Sequence, residues 1–283
     1  MEGVFLGSEA LASGALTRHQ LRTAHRRILP DVYAPADAVL ALRHRAAAAW
    51  LWSGRQGIVS GLAASALWGA RWVDDDAVIE LNWPNHRAPP GVLTRKDTLL
   101  EDEIAFRGLP VTTPERTAFD LARHGFEIEA VARLDALARA THYKDDDVRR
   151  LAQRHPHVRH LRRVDRVLDW VDAGAESPQE SRVRMMLVRA GYPKPATQIP
   201  VLAPDGYPRY YLDMGWEELK VAVEYDGEHH RKDDRTYRND IIRSEYVASL
   251  DWIVVRVLKG HRQADILRRV DRAVIARGGF SPR

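Results

Sequence analysis

Two hydrophobic rhythms divide the chain. Over residues 1–172 apolar positions recur mainly at helical spacing, whereas runs of period two enter after residue 177. Thr17 is placed to cap a helix through RHQLRTAHRR, Arg18–Arg27, and the ILPDVYAP that follows reads as a short, proline-bounded β-like piece. Further helices are expected over about Ala38–Ser53, within IVSGLAASALWG, and over Glu127–Ala140 and Asp145–Trp170, with VIELNWP a strand. In GLPVTTPERTAFDLARHG, Thr113 stands at an N-cap and Pro114 at N1, where its missing N–H leaves no bond unmade. DAGAESP, Asp172–Pro178, gathers Gly, Pro and small polar residues and marks a linker.

Beyond it, SPQESRVRMMLVRAG reads as a helix ending at Gly191, and TQIPVL as a strand. RYYLDMGW and LKVAVEYDG are two strands joined by the short turn Glu217–Glu218. A polar helix over Asp234–Ser249, the buried-looking strand WIVVRVL and a basic helix from about Gln263 complete the chain, with Trp216 and Trp252 expected in the core. The predicted fold is mixed α/β. A sheet domain flanked by helices occupies 177–283, after a mainly helical domain over 1–172.

Composition narrows the chemistry. A chain of 283 residues, 45% hydrophobic and 29% charged, can bury two modest cores and is not disordered. With no cysteine, disulfides, thiolate metal sites and thiol catalysis are excluded. A net charge of +4 and a pI near 9.4 suit a polyanionic partner. The longest apolar run, Ala46–Trp52, is too short to span a bilayer, and the opening residues lack the pattern of a signal peptide, so a cytoplasmic protein with no membrane contact is expected.

Strand alternation assigns the acids. In LKVAVEYDG, Val221, Val223 and Tyr225 share one face, while Ala222, Glu224 and Asp226 share the other, the two acids about 7 Å apart. If the neighbouring strand returns as a hairpin, Asp213 comes opposite this end. Three carboxylates so placed repel unless a cation stands between them. All-oxygen ligands suit Mg²⁺ or Mn²⁺, which activates water and stabilises charge building on a phosphate. The plainer alternative is an exposed sheet face whose acids pair with Lys or Arg.

These residues carry a resemblance. From Glu180 to about Leu258, the pieces ESRVRMML, YLDMGW, VAVEYDGEHH, YRNDIIRSEYVASLDW and IVVRVL resemble the PD-(D/E)XK nuclease superfamily, most of all its Vsr-like (very-short-patch-repair-like) endonuclease domains. The resemblance implies a restriction-endonuclease-like sheet with Asp213 and Glu224 as metal ligands. Asp226 stands where the superfamily more often has Lys, which leaves proton handling to His229 or His230 or to neither. Glu180 matches the auxiliary acid of the first helix, yet Ser177-Pro-Gln-Glu180 also has capping-box spacing. Arg238 and Asp240 match an RxD of the family helix, where an i, i+2 pair serves different neighbours.

In the first half, ALTRHQLRTA…ILPDVYAP and GLPVTTPERTAFDLA resemble AbiEi-type antitoxins or transcriptional regulators. That implies a winged helix-turn-helix over about residues 1–75, with Arg18, Arg22, Arg26 and Arg27 on DNA; a solvated basic helix is the alternative. The cluster Arg154–Arg166 is a second candidate for phosphate contacts. The leading expectation is a metal-dependent DNA endonuclease in repair or defence. The alternatives are a non-catalytic antitoxin-like regulator and an RNA-cleaving toxin-like nuclease.

Overall fold

The computed structural model describes residues 3–85, 87–227, 234–279 and 282. It is of mixed α/β class and forms two compact units, Met1–Val171 and Asp172–Arg283. No helix among the described residues is long and apolar enough to cross a membrane.

The first unit opens with β1 (Phe5–Leu6), α1 (Gly7–Ala12), α2 (Arg18–Thr23), β2 (His25–Leu29) and β3 (Val32–Pro35), the strands ordered β1-β3-β2. This is a helix–turn–helix followed by a hairpin. Thr17 caps α2 reciprocally: its hydroxyl accepts the Gln20 N–H at 3.2 Å, and the Gln20 side chain accepts the Thr17 N–H at 2.8 Å. The helix is shorter than expected. It ends at Thr23, and Arg26 and Arg27 lie on β2 opposite Ala34 and Tyr33, because ladder pairing with β3 overrides their helical spacing.

There follow α3 (Leu42–Trp52), β4 (Ile58–Ser60), α4 (Gly61–Leu67), β5 (Ile79–Asn82), β6 (Val92–Arg95), β7 (Ile104–Phe106) and β8 (Pro110–Thr112). These five strands form a sheet ordered β6-β5-β4-β8-β7. None exceeds 4 residues, too few for alternation to register in the sequence, so this unit holds more strand than its pattern predicts. Then come α5 (Pro114–Arg123), α6 (Glu127–Thr141), α7 (Asp145–Gln153) and α8 (Leu161–Leu168). Thr113 caps α5 as its sequence predicts. The single helix expected over Asp145–Trp170 is two, because Pro156 cannot donate a helical hydrogen bond and bars the helical conformation to the residue before it.

Helix α5 buries charge. Arg116 is fully buried, donating to Glu103 at 2.6 Å, to Asp120 at 3.0 Å and to the Thr98 carbonyl at 2.8 Å. Arg123 bridges Asp120 at 2.7 Å and Asp97 at 2.8 Å, and His155 donates to Glu103 at 2.7 Å. Both guanidiniums lie over the Phe119 ring, at 5.5 and 4.7 Å. The network ties α5 to the segment before β7 and to the end of α7.

The second unit runs α9 (Pro178–Arg189), β9 (Ala196–Leu202), β10 (Pro208–Trp216), β11 (Val221–Asp226), α10 (Asp234–Ser249), β12 (Ile253–Leu258) and α11 (Gln263–Ala276). Its sheet is ordered β12-β11-β10-β9, antiparallel except for the parallel β11–β12 pair that α10 connects. Val221 and Val223 face a core with Val183, Leu187 and the α11 residues Ile266 and Val270. Ala222 faces the other core, with Ile199, Val247 and Trp252. At Gly215 a Cβ would fall 2.3 Å from the Val221 carbonyl, so only glycine lets β10 and β11 close at their turn.

Strand β10 turns over at Asp213. Leu212 packs in one core and Met214 in the other, although side chains two apart in a regular strand share a face. By register Gln198 of β9 lies across from Asp213, and it adopts φ +49°, so the two strands deform together.

Replacing Arg116 by Met should destabilise the first unit by about 3–5 kcal/mol, because buried Glu103 would lose its arginine and Asp120 one of its two. Urea denaturation of the full chain would read this as an earlier transition for that unit. A midpoint left unchanged would mean the network contributes little.

Candidate active site

The site of the second unit is set by the β10–β11 register. Met214 pairs with Val223, so Asp213 and Glu224 are the next positions outward, where the strands begin to part. One Asp213 carboxylate oxygen accepts the Tyr225 backbone N–H at 2.7 Å. Glu224 is buried and held by Arg243 of α10, whose Nη2 donates to Oε1 at 2.5 Å and Nη1 to Oε2 at 3.2 Å. The same Nη2 donates to the Tyr211 carbonyl at 2.8 Å. Arg256 of β12 is Glu224's register partner and donates to the Ser244 hydroxyl of α10. A cavity of about 290 Å³ opens here, lined by Asp213, Glu224, Asp226 and Asp240 together with Arg243 and Arg256.

Glu180 caps its own helix, as its capping-box spacing predicts. Its carboxylate accepts from the Ser177 hydroxyl and the Glu176 N–H, each at 2.8 Å, while Ser177 accepts the Glu180 N–H at 3.2 Å. It also acts on Asp213. Burial first, then the Glu180 charge, push the Asp213 carboxyl up to about 7; the Tyr225 N–H opposes this, Glu224 adds to it and Arg243 subtracts. Asp213 therefore feels Glu180 and Glu224, while Asp226, at the strand end, lines the cavity farther along.

The donor chemistry fits a hard divalent cation. The pocket acids Asp213, Glu224, Asp226 and Asp240 offer oxygen donors, the kind such an ion takes. The expected trio Asp213, Glu224 and Asp226 does not stand as a ready ligand set: among the described residues no three acid or imidazole side chains are arranged to hold a metal. The physical reason is that Arg243 spans both Glu224 oxygens and Asp213 is turned to a backbone N–H.

His229 and His230 lie outside the described residues. Arg238 is exposed on α10 and Asp240 lines the cavity, so the RxD pair diverges as helix geometry requires. In the first unit, Arg18 and Arg22 are exposed on α2 and Arg27 on β2, while Arg26 donates to the Ala38 carbonyl at 2.8 Å. The Arg154–Arg166 cluster is partly committed: Arg154 grips Asp102 at 2.6 and 2.8 Å, and Arg163 donates to the carbonyls of His124 and Gly125. Sequence reasoning missed Arg243 and Arg256. The signal was present, since Arg243 follows Asp240 by three on the same helix face.

Comparison with known families gives one match. Residues 55–170 match the AbiEi antitoxin C-terminal domain. This AbiEi-like segment runs from just before β4 to just past α8 and contains the whole Arg116 network. Two uncharacterized proteins of Mycobacterium tuberculosis, one of strain H37Rv and one of strain CDC 1551, are each 25% identical to the chain over 205 residues, covering 68% of it and 75% of their own length.

The Asp213 carboxyl ionises near 3.8 when unperturbed and near 7 in the folded unit. Between those values the folded form keeps a proton that the unfolded form has lost. Stability of the metal-free second unit should therefore fall as pH rises from about 4 to about 7, then level off. Denaturation with chelator across that range should show the decline in the native chain and a flatter profile in Asp213→Asn. Parallel profiles would contradict the assignment.

Proposed function

We propose that the Asp172–Arg283 unit is a metal-dependent nuclease acting on DNA, and that the AbiEi-like unit and its helix–turn–helix place the chain on nucleic acid. The observation that carries the reading is the pair Asp213 and Glu224, side by side where β10 turns over, with Asp213 raised to about 7 by burial and by Glu180. Buried acids that repel one another are costly unless a cation completes them.

In this reading Asp213 and Glu224 hold Mg²⁺ or Mn²⁺, and Asp226 borders the site. The ion, when bound, supplies an acidified water and stabilises charge on the phosphate. The protein's own groups set the geometry. The Tyr225 N–H aims Asp213, and Ser177 with the Glu176 N–H fixes Glu180. Arg243 and Arg256 bring the cavity the positive charge that Asp226 does not, and a guanidinium suits phosphate oxygens. Proton transfer falls to His229 or His230.

A second reading has its own support. The match at residues 55–170 favours an antitoxin-like DNA-binding regulator, and Arg243 across Glu224 is how a retired acid pocket would be neutralised. There the second unit is a binding platform. Exposed Arg18, Arg22 and Arg27 serve DNA contact in both readings.

Supercoiled plasmid, single-stranded DNA and RNA, each incubated with Mg²⁺ or Mn²⁺, separate the readings. Metal-dependent cutting should fall by a hundredfold or more in Asp213→Asn and Glu224→Gln. DNA retention without cutting on any substrate, and no Mn²⁺ binding by calorimetry, would establish the regulator instead. Arg18→Ala with Arg22→Ala should weaken DNA retention in either case.

A further inference from the structure

The AbiEi-like segment contains a second cavity, of about 560 Å³, that neither reading above employs. Three pieces of chain wall it: Lys96–Thr98 after β6, Arg123 and His124 at the end of α5, and Arg154–Arg159 between α7 and α8. Its charge is out of balance. The nearby acids are already matched, Asp97 by Arg123 at 2.8 Å and Asp102 by Arg154 at 2.6 Å. The side chains of Lys96, His157 and Arg159 have no ion-pair partner among the described residues.

The back wall is rigid. Arg123 is 3% exposed, held by Asp97, by Asp120 and by the Phe119 ring. His124 lies against Asp120's carbonyl oxygen at 2.7 Å and accepts from Arg95 at 3.3 Å, which sets its proton on Nδ1. Burial, then Arg95, hold its imidazole below the usual range, and Arg123 adds to the effect. Cations near a helix C-terminus often do no more than offset its partial negative charge, and Arg123 and Arg154 sit where α5 and α7 end. Lys96 and Arg159 belong to neither helix.

The lining is of two kinds. Beside the cations stand Pro156 and Val158, with the flat imidazole of His157. A bare inorganic anion would use only the first kind. A nucleotide uses both, its phosphate meeting the cations and its base the apolar wall, and the volume falls in the range of small-molecule sites. We infer that this cavity binds a nucleotide through its phosphate, with the exposed, unpaired Lys96 and Arg159 supplying the charge and Arg123 forming the back of the site. The nucleotide is either free or the phosphorylated end of a strand. The inference does not rest on the nuclease reading.

The test is calorimetric titration of the full chain with ADP at low salt, chelator present so that no metal takes part. ADP should bind, and adenosine should not. Lys96→Ala combined with Arg159→Ala should weaken ADP at least tenfold without moving the thermal transition, since both side chains are exposed and unpaired. Arg18→Ala, outside the cavity, should bind ADP as the native chain does. The His124 imidazole should titrate higher with ADP bound than without it, by NMR. Oligonucleotides then separate the two sources: displacement of ADP by a 5′-phosphorylated strand but not by its 5′-hydroxyl twin assigns a strand end, and displacement by neither assigns a free nucleotide. Absence of ADP binding by the native chain, or equal ADP affinity in the double variant, overturns the inference.

Discussion

A charge taken out of water must be matched where it lies, and the two units answer that constraint in opposite ways. In the first, Arg116 and Arg123 are enclosed by Glu103, Asp120 and Asp97, with His155 on the remaining Glu103 oxygen. Such a network is weak evidence of net stabilisation, yet it is unforgiving, since removing one member strands the others. Its geometry fixes how α5 meets the strand edge and the end of α7. In the second unit the matching is incomplete. Burial first, then Glu180 and Glu224, push the Asp213 carboxyl up to about 7, and Arg243, bonded to Glu224, offsets only part of this.

The sheet explains why the incomplete matching falls where it does. Regular β pairing would have placed Leu212 and Met214 on one face, and Asp213 among the apolar residues of the other. The turnover at Asp213, with Gln198 deformed across from it, keeps apolar side chains in both cores and leaves the acid at a parting of strands. The Tyr225 N–H, which would otherwise lack a ladder partner there, is satisfied by the Asp213 carboxylate. One side chain thus repairs the ladder and feeds the cavity. Gly215, two residues on, permits the tight closure that holds this register.

How much of this the sequence disclosed depends on the distance over which each feature is determined. Local devices were legible. Thr17, Thr113 and Ser177 cap the helices their spacing announced, and Val221 to Asp226 alternates as its apolar and acidic positions required. Apart from VIELNWP, which holds β5, and the β-like VYAP, which is β3, strands of 2 to 4 residues were not, because a stretch so short has little period to read. Arg26 and Arg27 were misplaced on a helix because pairing with β3 is a tertiary fact. The charge network was hidden for the same reason, as Asp97, Glu103, Arg116 and His155 are dispersed along the chain and only folding brings them together. The break at Pro156, by contrast, was there to be read.

Arg243 was visible only as one more cation on a polar helix, yet the two functional readings meet on it. A guanidinium does not shed its proton at any pH the fold survives, so it can release Glu224 only by moving. Its other anchors are the Tyr211 carbonyl and the Tyr210 ring, 5.9 Å away, and its side chain is 27% exposed. The nearest relief for the Asp213 charge is therefore either this same arginine, shared between two acids it cannot satisfy fully, or an added cation that frees it toward the cavity. The first arrangement leaves the Asp213 carboxyl raised by burial and by Glu180, with Arg243 offsetting only part of the effect. Under the nuclease proposal, the second would turn the crowding of Glu180, Asp213 and Glu224 into affinity for metal and free a guanidinium for the cavity. Under the nuclease proposal the crowded acids are half of a binding site; under the regulator proposal Arg243 is the group that completes them.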